Sequence, residues 1–146
     1  MRLRSAVAAD MESLLDLLAV LFSIEQDFAP DREKQRCGLE RLLDTPDAHV
    51  AVAEDAGQVV GMATLQVVIS TVEGGPAGLI EDVVVSESHR GRGIGRALME
   101  HLADWAVERG LTRLQLLADR DNGSALGFYR KLGWSMTRLI ALRMKP

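Results

Sequence analysis

The chain has 146 residues, of which 47% are hydrophobic and 26% charged. These values are typical of a single globular domain spanning residues 1–146, and they exclude disordered and collagen-like classes. The net charge of −4 argues against a general nucleic-acid binder. This total hides an asymmetry, because residues 1–88 carry six basic and sixteen acidic residues, whereas residues 89–146 carry eleven and five. The asymmetry predicts an anion site in the second half and a cation site in the first.

Cysteine use and hydropathy bear on the compartment. Cys37 is the single cysteine, so no internal disulfide can form, which fits a reducing compartment. The longest uncharged run, residues 56–72, is shorter than the roughly 20 residues that a spanning helix needs. We therefore expect a cytoplasmic protein with no membrane partner. The three histidines are scattered along the sequence without the spacing of metal ligands, so we expect no metal.

Hydrophobic periodicity and turn residues predict an α/β order of elements. In chain order the sequence predicts a strand over 2–8, a helix from Asp10 to Phe22, a helix from Pro30 to near Pro46, a hairpin of strands 48–54 and 58–69, a strand over 79–85, a helix from Ile94 to Gly110, a strand over 114–118, a short helix from Asn122 to Gly133 and a last alternating strand from Trp134 to Met144. No repeat or linker interrupts this order.

A basic, glycine-rich turn, residues 89–96, lies between a predicted strand and a predicted helix. The first turn of a helix presents N–H groups without intrahelical partners, glycines allow close approach to the backbone, and three arginines add positive charge. These features predict a phosphate site, with a plain basic surface turn as the alternative. A dinucleotide fingerprint would need glycine where Arg96 stands, and no Gly-Lys-Ser/Thr triplet of a Walker loop follows.

The pattern Arg90-x-x-Gly93-x-Gly95 resembles the acetyl-coenzyme A pyrophosphate loop of the GCN5-related N-acetyltransferase (GNAT) family. Residues 79–85 resemble the family's central strand, and residues 122–134 resemble its second motif. The resemblance implies a single GNAT-type α/β domain. Its sheet would be mixed and mostly antiparallel, with a central splayed strand pair flanked by helices. It also implies an acetyl-CoA-dependent N-acetyltransferase with acetyl-CoA as cosubstrate.

The resemblance assigns cofactor contacts to three segments of this chain. The implied cofactor-binding residues are Val83, Val84, Val85, Arg90, Gly91, Arg92, Gly93, Ile94, Gly95, Arg96, Asn122 and Phe128. The valines would hydrogen-bond the pantetheine arm through their backbone, as an added strand does. For Asn122 a helix N-cap is an equal alternative. For Phe128 a place in the core is the alternative.

Acetyl transfer to an amine needs a proton acceptor and a proton donor. Tyr129 is the implied acid, because it falls on the family's short helix and is the only tyrosine in the chain. Glu81 is the implied base, acting directly or through water, with Asp82 as the alternative. Strand alternation places these two acids on opposite faces unless a bulge intervenes.

Acidic residues that precede the central strand suggest a cationic acceptor. We expect Glu25, Asp27 and Asp82 to bind it, and the acceptor to be the primary amine of a small metabolite such as a polyamine, an amino acid or an amino sugar. Two alternatives stay open: a protein N-acetyltransferase, and a CoA-binding regulatory or scaffold protein without turnover. Family members often form dimers, and an apolar last strand can pair at its edge, so a homodimer is expected.

Overall fold

A computed structural model describes residues 1–24 and 29–146 of the chain. Within these ranges the elements are, in chain order, β1 (Arg2–Ser5), α1 (Met11–Ile24), α2 (Arg32–Asp44), β2 (Ala48–Asp55), β3 (Gln58–Ser70), β4 (Gly75–Val85), α3 (Ile94–Glu108), β5 (Leu114–Leu116) and α4 (Gly123–Lys131). Short 3-10 turns at Ala8–Asp10 and Glu87–His89 precede α1 and the glycine turn. No helix in the described ranges is long and apolar enough to cross a membrane.

The five strands form one sheet in the order β1-β2-β3-β4-β5. The first three pairings are antiparallel, so the strands from β1 to β4 follow one another as neighbours. The β2–β3 connection is a two-residue turn in which Ala56 and Gly57 both have positive φ, at 49° and 80°. Such a turn matches the twist of the strands that it joins. The predicted α/β class and mostly antiparallel sheet are confirmed.

Helices cover both faces of the sheet. Val50 and Val52 of β2 pack in a cluster with four leucines of α1 and Leu39 of α2. The alternate residue His49 faces the other side, where its ring contacts those of His101 and Trp105 of α3. The alternation along β2 therefore divides the core into an α1–α2 layer and an α3 layer.

The start of β4 approaches the segment that leads into β5 closely. A Cβ atom added at Gly78 would lie 2.7 Å from Leu114 Cδ2 and 3.0 Å from Leu111 Cδ2, so a larger residue there would require these leucine side chains to shift. The Gly78 N–H donates to the Arg113 carbonyl at 2.8 Å. Because β5 has only three residues, it lies beside the first half of β4 and not along its whole length.

The chain divides into two compact units, Met1–Gln115 and Leu116–Pro146. The prediction of a last strand over 134–144 is wrong, because residues 132–146 contain no strand. Met136, Ile140 and Leu142 are each at least 70% exposed. Alternation marks an apolar face, but a strand also needs a neighbouring edge for its backbone hydrogen bonds. Here the Leu139 N–H instead bonds locally to the Thr137 hydroxyl at 3.2 Å.

Candidate functional site

A β-bulge interrupts β4 at the two predicted acids. Thr64 of β3 pairs with Glu81 and Met62 pairs with Val84, so Asp82 and Val83 together face a single residue of β3. Asp82 adopts the left-handed conformation with φ of 53°, a region that aspartate tolerates better than most residues. The bulge therefore breaks the alternation from which opposite faces were predicted for the two acids.

The bulge is held by a side chain from the neighbouring strand. The buried Thr64 hydroxyl donates to Asp82 Oδ2 at 3.2 Å. Glu81, one residue earlier, is exposed. Asp82 is thus built into the sheet, whereas the Glu81 carboxylate is accessible for proton transfer. These contacts favour Glu81 over Asp82 as the predicted base.

The second half of β4 carries the three valines for which backbone contacts were predicted. Val84 is buried in the α1 cluster, while Val83 and Val85 are half-buried. The hydrogen bonds described between β4 and the segment leading into β5 lie at the other end of the strand, at Pro76 and Gly78. β5 has three residues against the eleven of β4, so it can pair with only part of that strand.

The glycine turn joins β4 to α3 with a backbone that requires glycine. Gly91 and Gly93 have φ values of 71° and 81°, and Gly93 is the N-cap of α3. No atom lies within 4 Å of a Cβ built at either position, so positive φ and not crowding accounts for these glycines. The turn is open on its outer side and ends at the positive pole of a fifteen-residue helix.

The three predicted arginines of this turn have different contacts. Arg90 Nε donates to the Val85 carbonyl at 3.2 Å, which fixes its side chain against the end of β4. Arg92 lies 3.6 Å from Asp55, and Arg96 lies 3.5 Å from Glu100 in the next turn of α3. Each of the three residues remains exposed. Three arginines, an open glycine backbone and a helix N-terminus form a donor set that fits a diphosphate.

Asp55 was not singled out by the sequence, although it lies against the glycine turn. It is the last residue of β2, and its Oδ2 lies 3.6 Å from Arg92 and 3.8 Å from His89 Nε2. The other ring nitrogen of His89 lies 2.9 Å from the hydroxyls of Ser86 and Ser88. The sequence does not show that Asp55 lies beside the glycine turn, because this contact joins elements that are distant in sequence.

The second unit contains the remaining predicted residues. Asn122 is the N-cap of α4, and its Oδ1 accepts the Ala125 N–H at 3.1 Å, which confirms the N-cap alternative. Tyr129 contacts Phe128 edge-to-face at 5.1 Å between centroids and Trp134 at 6.1 Å. Tyr129 and Glu81 belong to different compact units, so their cooperation stays a prediction.

Five acids of the first half of the chain pair with arginines of the same half. Glu12 of α1 accepts from Arg36 at 2.7 Å and from Arg32 at 2.8 Å, and these hydrogen bonds lower its pKa to about 2. Arg4 likewise bridges Asp10 and Glu54, each at 2.7 Å. The predicted substrate residues Glu25 and Asp27 lie outside the described residues.

Two of the three histidines, His49 and His101, come together in the structure although they are distant in sequence. His49 Nε2 and His101 Nε2 lie 3.2 Å apart, and the His49 ring stacks on Trp105 at 5.1 Å. Burial, followed by repulsion from His101 and Arg109, lowers the pKa of His49 to about 4. Among the described residues no group of three metal-ligating side chains comes together.

The chain is similar to known acetyltransferases in both sequence and fold. The model of the acetyltransferase (GNAT) family matches residues 11–134. A streptothricin acetyltransferase of Streptomyces lavendulae is 47% identical over 60 residues, 41% of this chain and 32% of that protein. A glucosamine 6-phosphate N-acetyltransferase of Trypanosoma brucei brucei is 38% identical over 82 residues, 56% of this chain and 54% of that protein. The chain thus matches about a third to a half of these relatives.

The fold comparison covers nearly the whole chain. A solved acetyltransferase from Trypanosoma brucei superposes with a TM-score of 0.74 at 28% identity, covering 98% of this chain and 99% of the other. The architecture described above is therefore shared with a solved acetyltransferase over its full length.

Proposed function

Because the chain belongs to the acetyltransferase (GNAT) family, we propose that it transfers an acetyl group from acetyl-CoA to a primary amine of a small metabolite. The observation that carries this proposal is the sequence of three features along one segment: the bulged end of β4, the open glycine turn and the N-terminus of α3. The bulged end of β4 supports the acetyl-transfer step, and the glycine turn and the N-terminus of α3 support cofactor binding.

Acetyl-CoA supplies a thioester carbonyl and a thiol leaving group. Its diphosphate would be held by the N–H groups of the glycine turn and by Arg90, which is already fixed on the Val85 carbonyl. Arg92 and Arg96 are exposed and would add charge at the rim of the site. The backbone near Val83 would hydrogen-bond the pantetheine arm. An N–H in this stretch would also stabilise the negative charge that develops on the carbonyl oxygen.

The acceptor must lose a proton before or during attack. An alkyl ammonium has a pKa of about 10, so about one molecule in 10³ is neutral at pH 7. Glu81, which is exposed beside the bulge, would accept the amine proton directly or through one water. As the C–N bond forms and the C–S bond breaks, Tyr129 would donate its phenolic proton to the departing sulfur.

The acceptor class follows from the names of the relatives together with the charges near the bulge. One relative is named for streptothricin and another for glucosamine 6-phosphate, both small molecules. The acids of α1 are occupied by Arg32 and Arg36 and offer little net charge to a cation. We therefore place recognition of the ammonium at Glu81 and Asp82, with Glu25 and Asp27 as further candidates.

The test is release of coenzyme A thiol from acetyl-CoA with a panel of amines, followed by product masses. The panel contains streptothricin, glucosamine 6-phosphate, an aminoglycoside, spermidine, free amino acids and peptides with a free N-terminus. We expect a mass increase of one acetyl group on at least one small amine. Acetylation confined to the peptides would replace the acceptor class. Binding of acetyl-CoA without turnover on any amine would instead support a CoA-binding protein without catalysis.

A further inference from the structure

Asp55 connects the β2–β3 turn to the glycine turn. Asp55 is the last residue of β2 and directly precedes Ala56 and Gly57, which both have positive φ. The turn therefore determines the direction in which the Asp55 side chain projects. From there Oδ2 reaches both Arg92 and His89, at 3.6 and 3.8 Å. The Asp55 side chain is 27% exposed and that of Arg92 is 56% exposed, so the acid is the more buried member of this pair.

His89 contacts Asp55 through one ring nitrogen and two serine hydroxyls through the other. Its Nδ1 lies 2.9 Å from the hydroxyls of both Ser86 and Ser88. When a serine hydroxyl donates to Nδ1, the ring proton is on Nε2, the atom that faces Asp55. The imidazole is 22% exposed. It thus links the 3-10 turn before Arg90 to the end of β2.

We propose that Asp55 is a positioning residue for the glycine turn, which it holds through Arg92 and His89 in the conformation that receives the diphosphate of coenzyme A. This inference rests on the proposed function, because it concerns the same anion site. A carboxylate beside a phosphate site is unfavourable by charge alone. The Met1 ammonium, 3.7 Å from Asp55 Oδ1, offsets part of this charge. Fixing the two side chains on either side of Arg90 is the role that we assign to the carboxylate.

Charge and positioning predict opposite results for Asp55→Asn. Removal of a negative charge makes the turn more attractive to a diphosphate, and this effect fades as salt rises. Loss of Asp55 frees Arg92 and leaves His89 held only by the two serine hydroxyls, so the diphosphate must order the turn on binding at an entropic cost. An exposed ion pair and one weak polar contact each contribute little, so we expect weaker binding by roughly threefold to tenfold.

The experiment measures the Kd of coenzyme A by calorimetry for wild type, Asp55→Asn and Glu87→Gln, at 50 and 300 mM salt. Glu87 is exposed on the 3-10 turn beside His89, so Glu87→Gln removes the same charge near the turn and serves as the matched control. We expect Asp55→Asn to weaken binding at both salt concentrations. We expect Glu87→Gln to leave the Kd unchanged or to lower it slightly. Unchanged or tighter binding by Asp55→Asn overturns the inference.

A second pair of variants tests the same role without touching Asp55. Asparagine at position 89 places a polar group near Nδ1 and removes Nε2, whereas glutamine reaches the position of Nε2. We expect His89→Asn to weaken coenzyme A binding by a few-fold and His89→Gln to retain it. In steady-state kinetics the KM for acetyl-CoA should rise while kcat stays within twofold. Equal effects of the two histidine variants would contradict the proposal, and wild-type protein that binds no coenzyme A would reject the proposed function itself.

Discussion

The Thr64 hydroxyl donates a hydrogen bond to the Asp82 carboxylate at 3.2 Å, and this contact spans the point where β3 and β4 change register. Thr64 is 1% exposed. A bulge adds one residue to a strand and re-aims the side chains that follow it. The contact thus stabilises the backbone that presents Glu81 and Val83, so changes at Thr64 should affect catalysis without touching either residue.

The first prediction compares Thr64→Val with Thr64→Ser. Valine keeps the volume and removes the donor, while serine keeps the donor and removes a buried methyl group. Both should lower the free energy of unfolding by about 1 kcal/mol, for different reasons. Only Thr64→Val should lower kcat, by about tenfold, because catalytic groups tolerate little displacement. Urea unfolding and steady-state kinetics measure the two effects, and equal kcat values for both variants would refute the role of this contact.

The second prediction concerns the proposed base. Glu81→Gln keeps the shape of the side chain and removes the proton acceptor, so kcat should fall about 10²- to 10³-fold. The KM for acetyl-CoA should change little, since the carboxylate is not part of the glycine turn. Glu87→Gln is the control, because it removes an exposed acid from the adjacent 3-10 turn. The control should keep the wild-type kcat, and a Glu81→Gln variant that also kept it would reject Glu81 as base.

The third prediction concerns the proposed acid. Tyr129→Phe removes one hydroxyl and preserves the ring that contacts Phe128 and Trp134. Because a thiol is a good leaving group, kcat should fall by only about tenfold to hundredfold. Thermal unfolding shows whether α4 is intact. A variant that folds normally and retains full kcat would exclude proton donation by Tyr129.

The fourth prediction tests the diphosphate site. Arg90→Ala removes both the charge and the contact with the Val85 carbonyl, and Arg92→Ala removes a second exposed charge together with its contact to Asp55. The double variant should weaken coenzyme A binding at least about tenfold at low salt, and less at high salt. Arg41→Ala on α2 is the control for net charge. Unchanged affinity in the double variant would remove the glycine turn from the cofactor site.

The order of elements was predictable from the sequence because each depends on local signals. Asp31 shows this clearly, since its side chain accepts the Lys34 N–H as the N-cap of α2, where a helix start was predicted. The glycine turn was predictable for the same reason, because Gly93 follows a buried strand and precedes an amphipathic helix.

Features that depend on pairing between distant residues could not be predicted. Periodicity at Glu81 and Asp82 indicates a regular strand, and only the register against Thr64 reveals the bulge. For the last segment the sequence predicted a strand that the structure does not contain. The alternation from Trp134 onward carries no information about a neighbouring strand edge. The contact of His49 with His101 could not be predicted either, because no periodic pattern in the sequence relates two residues so far apart.

The fifth prediction follows from the His49 pKa of about 4, well below the 6.5 of a free histidine. In the unfolded chain His49 binds a proton below about pH 6.5, whereas in the folded protein it stays neutral down to about pH 4. Its contribution to stability is therefore complete above pH 6.5 and is lost as the pH falls from 6.5 to 4. The slope should approach about 1.4 kcal/mol per pH unit. Urea unfolding at a series of pH values measures it.

His49→Phe isolates this contribution because phenylalanine can keep the stack on Trp105 without titrating. The slope between pH 6.5 and 4 should flatten in this variant. Glu12, whose pKa is lowered by Arg36 and Arg32, loses its contribution only as the pH falls below about 4.5, so it does not account for the upper part of the window. If His49→Phe kept the wild-type slope, the acid sensitivity would arise elsewhere and the buried His49 would not be its source.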